Sequence, residues 1–355
     1  MSENSAPAKP HYLILDGLRG VAALLVVIFH LCEAVNPEPV NNPLHHGYLA
    51  VDFFFLLSGF VVGYAYDDRW QKMTIWEFFK IRLIRLHPLL VLGVIIGVIG
   101  FLADPFTNGI QHTNFLKLLA VTLLSLTLLP APDIRGWSET HPLNGPAWSL
   151  LQEYIANILY AAFVRRLTKQ ALWIFVIAAG ALLAAVAIWR GDVGTGWSYQ
   201  TFWIAMVRML FPFFAGLLLF RAGKKIHIPL AFLWCSAVLA VLFCLPTFSF
   251  NGIYEAACII IAFPVIVATG AGSTISESWL KLCKFFGDIS YPIYILHYPF
   301  IYIYTAWVYK NHPSANNILW VAAGLFVLFV LMAFAAIKMY DLPVRAWLKK
   351  RLMPK

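Results

Sequence analysis

Leu15-Asp16-Gly17-Leu18-Arg19-Gly20, continued through Val21 to Leu31, is the stretch whose reading decides the fold. It is an apolar run with Arg19 near one end and His30 near the other, eleven residues apart. At about 100° per residue, eleven steps of a helix return to nearly the same face, with a rise of ~16 Å. One helix thus presents a permanent cation and a titratable imidazole on one stripe, about half a bilayer apart. Ionisable groups in membrane helices are costly and face a bundle interior or a water-filled cavity. Taken singly, Arg19 reads as snorkelling to headgroups and His30 as satisfied by a backbone carbonyl. The pair, with Asp16 beside it, points to a site.

The whole composition agrees with a membrane reading. The 355 residues are 61% hydrophobic and 12% charged, with a mean hydropathy of +0.75. A soluble domain cannot hide that much apolar surface, so repeated runs of spanning length define an all-α, polytopic integral membrane bundle. The net charge of +9 is not a nucleic-acid footprint, because the Lys and Arg residues sit in short loops and set orientation. Cys32, Cys235, Cys244, Cys258 and Cys283 are scattered, odd in number and without metal-ligand spacing. They read as small hydrophobes, and no metal site is expected.

Apolar segments fall near 12–32, 48–66, 82–103, 115–130, 146–164, 171–189, 201–220, 229–247, 252–269, 287–309 and 316–338. Basic clusters lie at Arg69 to Arg85, Arg165 to Lys169, Arg221 to Lys225, Lys281 with Lys284, and Arg345 to Lys355, whereas 33–47, 104–114 and 247–251 hold no Lys or Arg. The clusters mark the cytoplasmic side, and both termini are expected there. Three segments separate the Arg85 and Arg165 clusters, yet an odd number of crossings cannot join two points on one side. The 115–130 segment, short for a span, is expected to be re-entrant or interfacial, which leaves about ten crossings. The expected division is a cytoplasmic tail at 1–11, retained without a cleavable signal, a transmembrane domain at 12–340, and a basic cytoplasmic tail at 341–355.

Several apolar segments carry further polar residues. Asp52 opens Asp52-Phe53-Phe54-Phe55-Leu56-Leu57-Ser58-Gly59, near the level that His30 reaches from the other side. It could fix the His30 tautomer, or simply favour a helix N-terminus. Ser58 and Gly59 suit close helix packing. Arg82 and Arg85, three apart on one face, read either as topology and headgroup contacts or as a phosphate clamp with Arg19. In Pro146-Ala147-Trp148-Ser149-Leu150-Leu151-Gln152-Glu153, Glu153 is a general base or a structural partner of an arginine, with Arg208 the candidate. Gly287 to His297 places Ser290 and Tyr291 toward the inner side, Pro292 at an early turn or kink, and His297 deeper.

With these motifs in hand, the chain resembles the acyltransferase-3 family of membrane acyltransferases over nearly its whole length. Arg19-x10-His30 is matched, as are Asp52 to Gly59, Arg82-x-x-Arg85 with Pro88, Trp148 to Glu153, and Gly287 to His297. Each motif is weak alone, but five in order are specific. The resemblance implies O-acylation of an extracytoplasmic glycan or related hydroxyl acceptor, with acyl-CoA, acetyl-CoA foremost, as cytosolic co-substrate. It places Arg19, Arg82 and Arg85 near the donor phosphates. His30 is then a general base or a covalent acyl carrier, with Asp52 or Glu153 balancing its charge and Arg208 or His297 stabilising an oxyanion. Trp148, Ser290 and Tyr291 complete the expected binding set. The family's frequent C-terminal soluble domain has no counterpart after the basic tail. A separate periplasmic transferase or a homo-oligomer is therefore an expected partner, alongside membrane lipid. The bacterial cytoplasmic (inner) membrane is the expected location. The rival reading is a proton-coupled secondary transporter, against which stands the lack of a two-fold repeat or paired broken helices.

Overall fold

Apolar periodicity and capping residues together set the helices, and the computed structural model describes residues 11–107 and 113–353. In chain order the helices are α1 Leu13–Glu33, α2 Ala50–Tyr66, α3 Ile75–Ala103, α4 Phe115–Leu126, α5 Ala147–Phe163, α6 Lys169–Arg190 and α7 Phe202–Ala222. Next come α8 Ala231–Cys244, α9 Asn251–Gly272, α10 Glu277–Leu296, α11 Tyr298–Asn311, α12 Ala315–Ala336 and α13 Leu342–Leu352. Starts follow local chemistry. Thr74 and Glu77 form a capping box before α3, and Asn114, Thr168 and Ser314 accept backbone N–H groups at the starts of α4, α6 and α12. Among the described residues no strand forms, and an isolated bridge pairs Glu139 with Ser198.

Each apolar segment of the sequence coincides with helix. Seven helices are long and apolar enough to cross a membrane, while Phe115–Leu126 and Ala231–Cys244 are shorter apolar helices. At 12 residues, α4 spans only ~18 Å, well short of a hydrocarbon core. The chain leaves α3 and returns after α4 at one end of the bundle, since Arg135 sits 5.2 Å over the Phe101 ring. The single segment expected at 287–309 divides instead into α10 and α11. Pro299 in the first turn of α11 cannot donate to the preceding helix, which breaks the run at His297. The tail expected from residue 341 is likewise not separate. Helix α12 continues through a π turn at Ile337–Asp341 into α13.

Two close helix contacts hold the site together. Where α1 meets α10, a Cβ on Gly20 would lie 2.4 Å from the Phe286 carbonyl oxygen. Where α2 meets α7, a Cβ on Gly59 would lie 1.7 Å from the Phe213 oxygen, and one on Gly216 2.0 Å from the Leu56 oxygen. Only glycine permits these backbones to touch. The packing role expected of Gly59 is thus what the structure has, and its neighbour Ser58 turns to a carboxylate instead.

Candidate active site

Two cavities lie end to end along α1 and the α10–α11 pair. One, of about 750 Å³, is lined by Asp16 and Arg19 near the start of α1 and by α10 up to Tyr294. The other, of about 1430 Å³, is lined by His30 and Glu33 at the end of α1 and by α11 from Tyr298. Val51 and Tyr294 face both. The Tyr294 hydroxyl lies 2.8 Å from Ser149 Oγ, so a single hydrogen-bonded ring stands between the cavities.

The first cavity gathers the arginines expected to converge. Arg19 Nη2 lies 2.9 Å from Asp16 Oδ1, while its Nε donates to Ser290 Oγ at 2.9 Å and Nη2 to the Gly287 carbonyl at 3.1 Å. Arg82 donates to Glu153 Oε1 at 2.5 Å, and Ser58 Oγ donates to the same oxygen at 2.5 Å. The partner of Glu153 is therefore Arg82 and not the expected Arg208. Tyr291 donates to the Leu86 carbonyl at 2.5 Å. Carboxylates pair with Arg19, Arg82 and Arg345 of this cavity. Arg85 lines it with no carboxylate at ion-pair distance among the described residues.

In the second cavity His30 Nδ1 lies 2.8 Å from Glu33 Oε2. A carboxylate there accepts the Nδ1 proton and leaves Nε2 as the basic nitrogen. The imidazole stacks on His297 at 5.4 Å and meets the Tyr298 ring edge-on at 4.9 Å. His297 is fully buried, with its Nδ1 2.9 Å from the Ile293 carbonyl, so that nitrogen donates and Nε2 is left without a hydrogen-bond partner among the described residues. Neither Asp52 nor Glu153 orients His30. Asp52 is buried against Arg208, which donates to both of its oxygens at 2.5 and 3.2 Å. Arg208 also donates to the carbonyls of Thr195 at 2.7 Å and Tyr48 at 3.0 Å, and lies 5.4 Å over the Trp148 ring. Every arm of this buried guanidinium is occupied, which makes it a fixed floor for the cavity.

The walls of the second cavity are aromatic, with Trp137, Trp148, Trp197, Tyr298 and Tyr302 among them. Asp133 shapes the loop beneath by accepting the backbone N–H groups of Arg135, Gly136 and Ser138. Arg135 then stacks 3.6 Å over Tyr302, whose hydroxyl donates to Glu139 Oε2 at 2.6 Å. Burial pushes the Glu139 carboxyl up to about 7. Sequence reasoning missed Glu33, Arg135, Glu139 and Tyr302. For Glu33 a signal existed, since His30 and Glu33 are three apart on one helix. For the loop residues none did.

A multi-pass helical membrane protein with a guanidinium-rich cavity backed onto an imidazole–carboxylate pair has the parts of a group-transfer enzyme. A family profile described as an acyltransferase domain matches residues 12–337. The chain belongs to that family, acyltransferase-3, and is an acyltransferase. It is 34% identical over 186 residues to "Protein 2 in picA locus" of Rhizobium radiobacter, covering 50% of this chain and 95% of that one. With the acyltransferase MdmB of Streptomyces mycarofaciens it shares 34% identity over 185 residues, 49% of this chain and 45% of the relative. With the O-acetyltransferase OatA of Staphylococcus aureus it shares 27% over 364 residues, 95% of this chain but 58% of the relative. The match thus spans less than two thirds of the length of either named acyltransferase. No solved structure matches significantly.

Proposed function

We propose that the protein is a membrane O-acyltransferase that moves an acyl group, acetyl foremost, from cytosolic acyl-CoA to a hydroxyl of an extracytoplasmic glycan or related acceptor. The observation that carries this reading is the end-to-end pair of cavities, one rich in arginine and the other holding His30, with Val51 and Tyr294 between them. A polyanionic donor suits the first, because guanidinium groups match phosphate oxygens. A sugar-like acceptor suits the second, where aromatic faces can stack against the apolar faces of sugar rings and polar tips can meet hydroxyls. The family and the names of its relatives support the same chemistry.

In this reading the acyl-pantetheine arm extends past Ser149 and Tyr294 toward His30. The acceptor oxygen attacks the thioester carbonyl while His30 Nε2 takes the hydroxyl proton, and the Glu33 carboxylate balances the imidazolium. Collapse of the tetrahedral adduct breaks the C–S bond. His30 returns its proton to the leaving thiolate, giving ester and free CoA. The fixed charge of Arg208 in the cavity floor favours the developing oxyanion, whereas His297 spends its one N–H on the Ile293 carbonyl.

The topology that fits has ten crossings, with α4 on the outer side and both termini in the cytoplasm of a bacterial inner membrane. Cysteine accessibility at Thr113 and at Trp137, exposed in the loop that holds buried Glu139, should then report the same, outer, side. The function itself is tested by incubating membranes that contain the protein with radiolabelled acetyl-CoA. Label should enter envelope glycan and should not do so with His30→Ala. Absence of protein-dependent label in any acceptor or in hydrolysed acetate would overturn the proposal.

A further inference from the structure

Arg345 and Asp341 lie beyond residue 337, where the family match ends, yet both line the first cavity. The π turn at Ile337–Asp341 carries α12 into α13 without a break, and α13 packs along α3, the helix that bears Arg82 and Arg85. The terminal helix is therefore a wall of the cavity.

The charges there are unequal in what they have left to offer. Arg82 is only 5% exposed; Glu153 holds its Nη2, and its Nε is buried without a hydrogen-bond partner among the described residues, out of reach of a ligand at the mouth. Arg19 is committed to Asp16, Ser290 and Gly287. Arg345 differs from both. Its side chain is 38% exposed, and one of its nitrogens, Nη1, donates to Asp341 at 3.0 Å. A guanidinium carries five N–H donors, so most of the fork remains free. Asp341, four residues earlier on the same helical path, is buried and aims that fork. Lys284, also lining the cavity, is exposed and stands ten residues before Tyr294 on α10, a rise of ~15 Å. The exposed cations are thus at the mouth, and the committed ones lie within.

We propose that Arg345, positioned by Asp341, binds the phosphate group of the donor that lies farthest from its reacting thioester. This rests on the acyl-CoA reading above. In that donor the order from the thioester is pantetheine arm, diphosphate, then a 3′-phosphate on the ribose. With the thioester past Tyr294 at His30, the diphosphate falls among the inner arginines and the monoester arrives at the mouth, where the free arms of the Arg345 fork can meet two phosphate oxygens. Arg85, with no carboxylate at ion-pair distance among the described residues, faces the diphosphate. The same fork could instead hold the phosphate of an anionic lipid at the membrane surface, and the test separates the two.

Full-length protein is placed in nanodiscs of phosphatidylcholine, or of phosphatidylcholine with phosphatidylglycerol. Affinity for CoA and for 3′-dephospho-CoA is measured by calorimetry. The wild type should prefer CoA by about tenfold, the scale of one charge-assisted fork. Arg345→Gln should bring that ratio close to one while affinity for dephospho-CoA stays within about twofold, and Arg345→Lys should keep part of the preference. A ratio unchanged in both variants overturns the proposal, as does an equal loss for both ligands, which would mean a structural role. An effect seen only with phosphatidylglycerol assigns the fork to lipid and also overturns it. Should the wild type bind neither ligand, the acyl-CoA reading itself fails, a result distinct from a lost preference.

Discussion

The two cavities differ in how they treat charge. In the first, three arginines are each balanced by a carboxylate within 3.0 Å, and Arg85 is left over. In the second, the strong pair Arg208–Asp52 is sealed into the floor, and the partly buried His30–Glu33 pair, to which the proposed function gives the chemistry, stands among aromatic rings. The lesson is that guanidinium content alone does not mark a phosphate site. A paired, saturated arginine such as Arg208 organises structure, while a partly free one such as Arg85 or Arg345 has donors left for a ligand.

The sharpest way to break this comparison is at His30. Replacement by Ala or Gln should lower acyl transfer by about 10²–10⁴-fold, the usual range for a general base, while CoA affinity in the other cavity stays unchanged. Glu33→Gln should give a smaller loss and shift the pH profile of the rate. Near-normal transfer in either His30 variant would make that residue structural.

Next in size is the sealed pair. Asp52→Asn leaves a buried guanidinium without its counter-charge and should destabilise the protein by about 3–5 kcal/mol, read by chemical or thermal unfolding in detergent. Replacing Asp52 and Arg208 together by Leu should recover much of that stability. A double variant no more stable than the single would mean that packing, not charge, holds the floor.

Glu139 gives the pH arm. Its carboxyl is raised from an ordinary 4.5 to about 7 in the folded protein, so the fold favours the protonated form. The resulting stabilisation is present in full below about pH 4.5 and is lost as pH rises through 7, amounting to at most about 3 kcal/mol. Glu139→Gln should flatten the fall in melting temperature across that window, and a slope identical to wild type would reject the assignment.

Smallest is the effect on donor affinity. Arg85→Ala should weaken CoA binding by about 1.5–3 kcal/mol with little change in stability, because it strands no carboxylate. Arg19→Ala should weaken binding by a similar amount through its Nη1, the arm not engaged by Asp16, Ser290 or Gly287, and the protein should remain folded in the membrane. Arg82→Ala should instead cost stability, since Glu153 loses its counter-charge. If Arg85 and Arg82 variants behave alike, the distinction between carboxylate-free and carboxylate-paired arginines fails.

Much of this was legible in the sequence because membrane helices announce themselves by apolar runs, and the shared face of Arg19 and His30 follows from their spacing. The convergence of Arg19, Arg82 and Arg85 at one end was also readable, from the side on which basic residues collect. Partner choice was not. Glu153 with Arg82, and Asp52 with Arg208, are contacts between helices distant in the chain, and a hydropathy pattern carries no azimuth for one helix relative to another. The break at His297 was missed because Tyr298 and Pro299 continue an apolar run, and only the missing N–H of Pro299 interrupts it. Loop residues such as Glu139 gain their setting from the Asp133 turn, which no periodicity signals.

The glycine contact between α2 and α7 bears on how such an enzyme could change. Asp52 and Ser58 ride on α2 and Arg208 on α7, and at Gly59 and Gly216 the two backbones touch. Any substitution that wedges these helices apart would disturb the Asp52–Arg208 floor and the Ser58–Glu153–Arg82 cluster in one stroke. On the proposed function, donor recognition and acceptor recognition are therefore not free to drift independently through the helices. Novelty in the acceptor has an easier route through the connecting segments that rim the second cavity, such as 34–40, 134–139 and 190–197, where loops tolerate exchange. A lineage exploring new acceptors should vary there first and keep the two glycines.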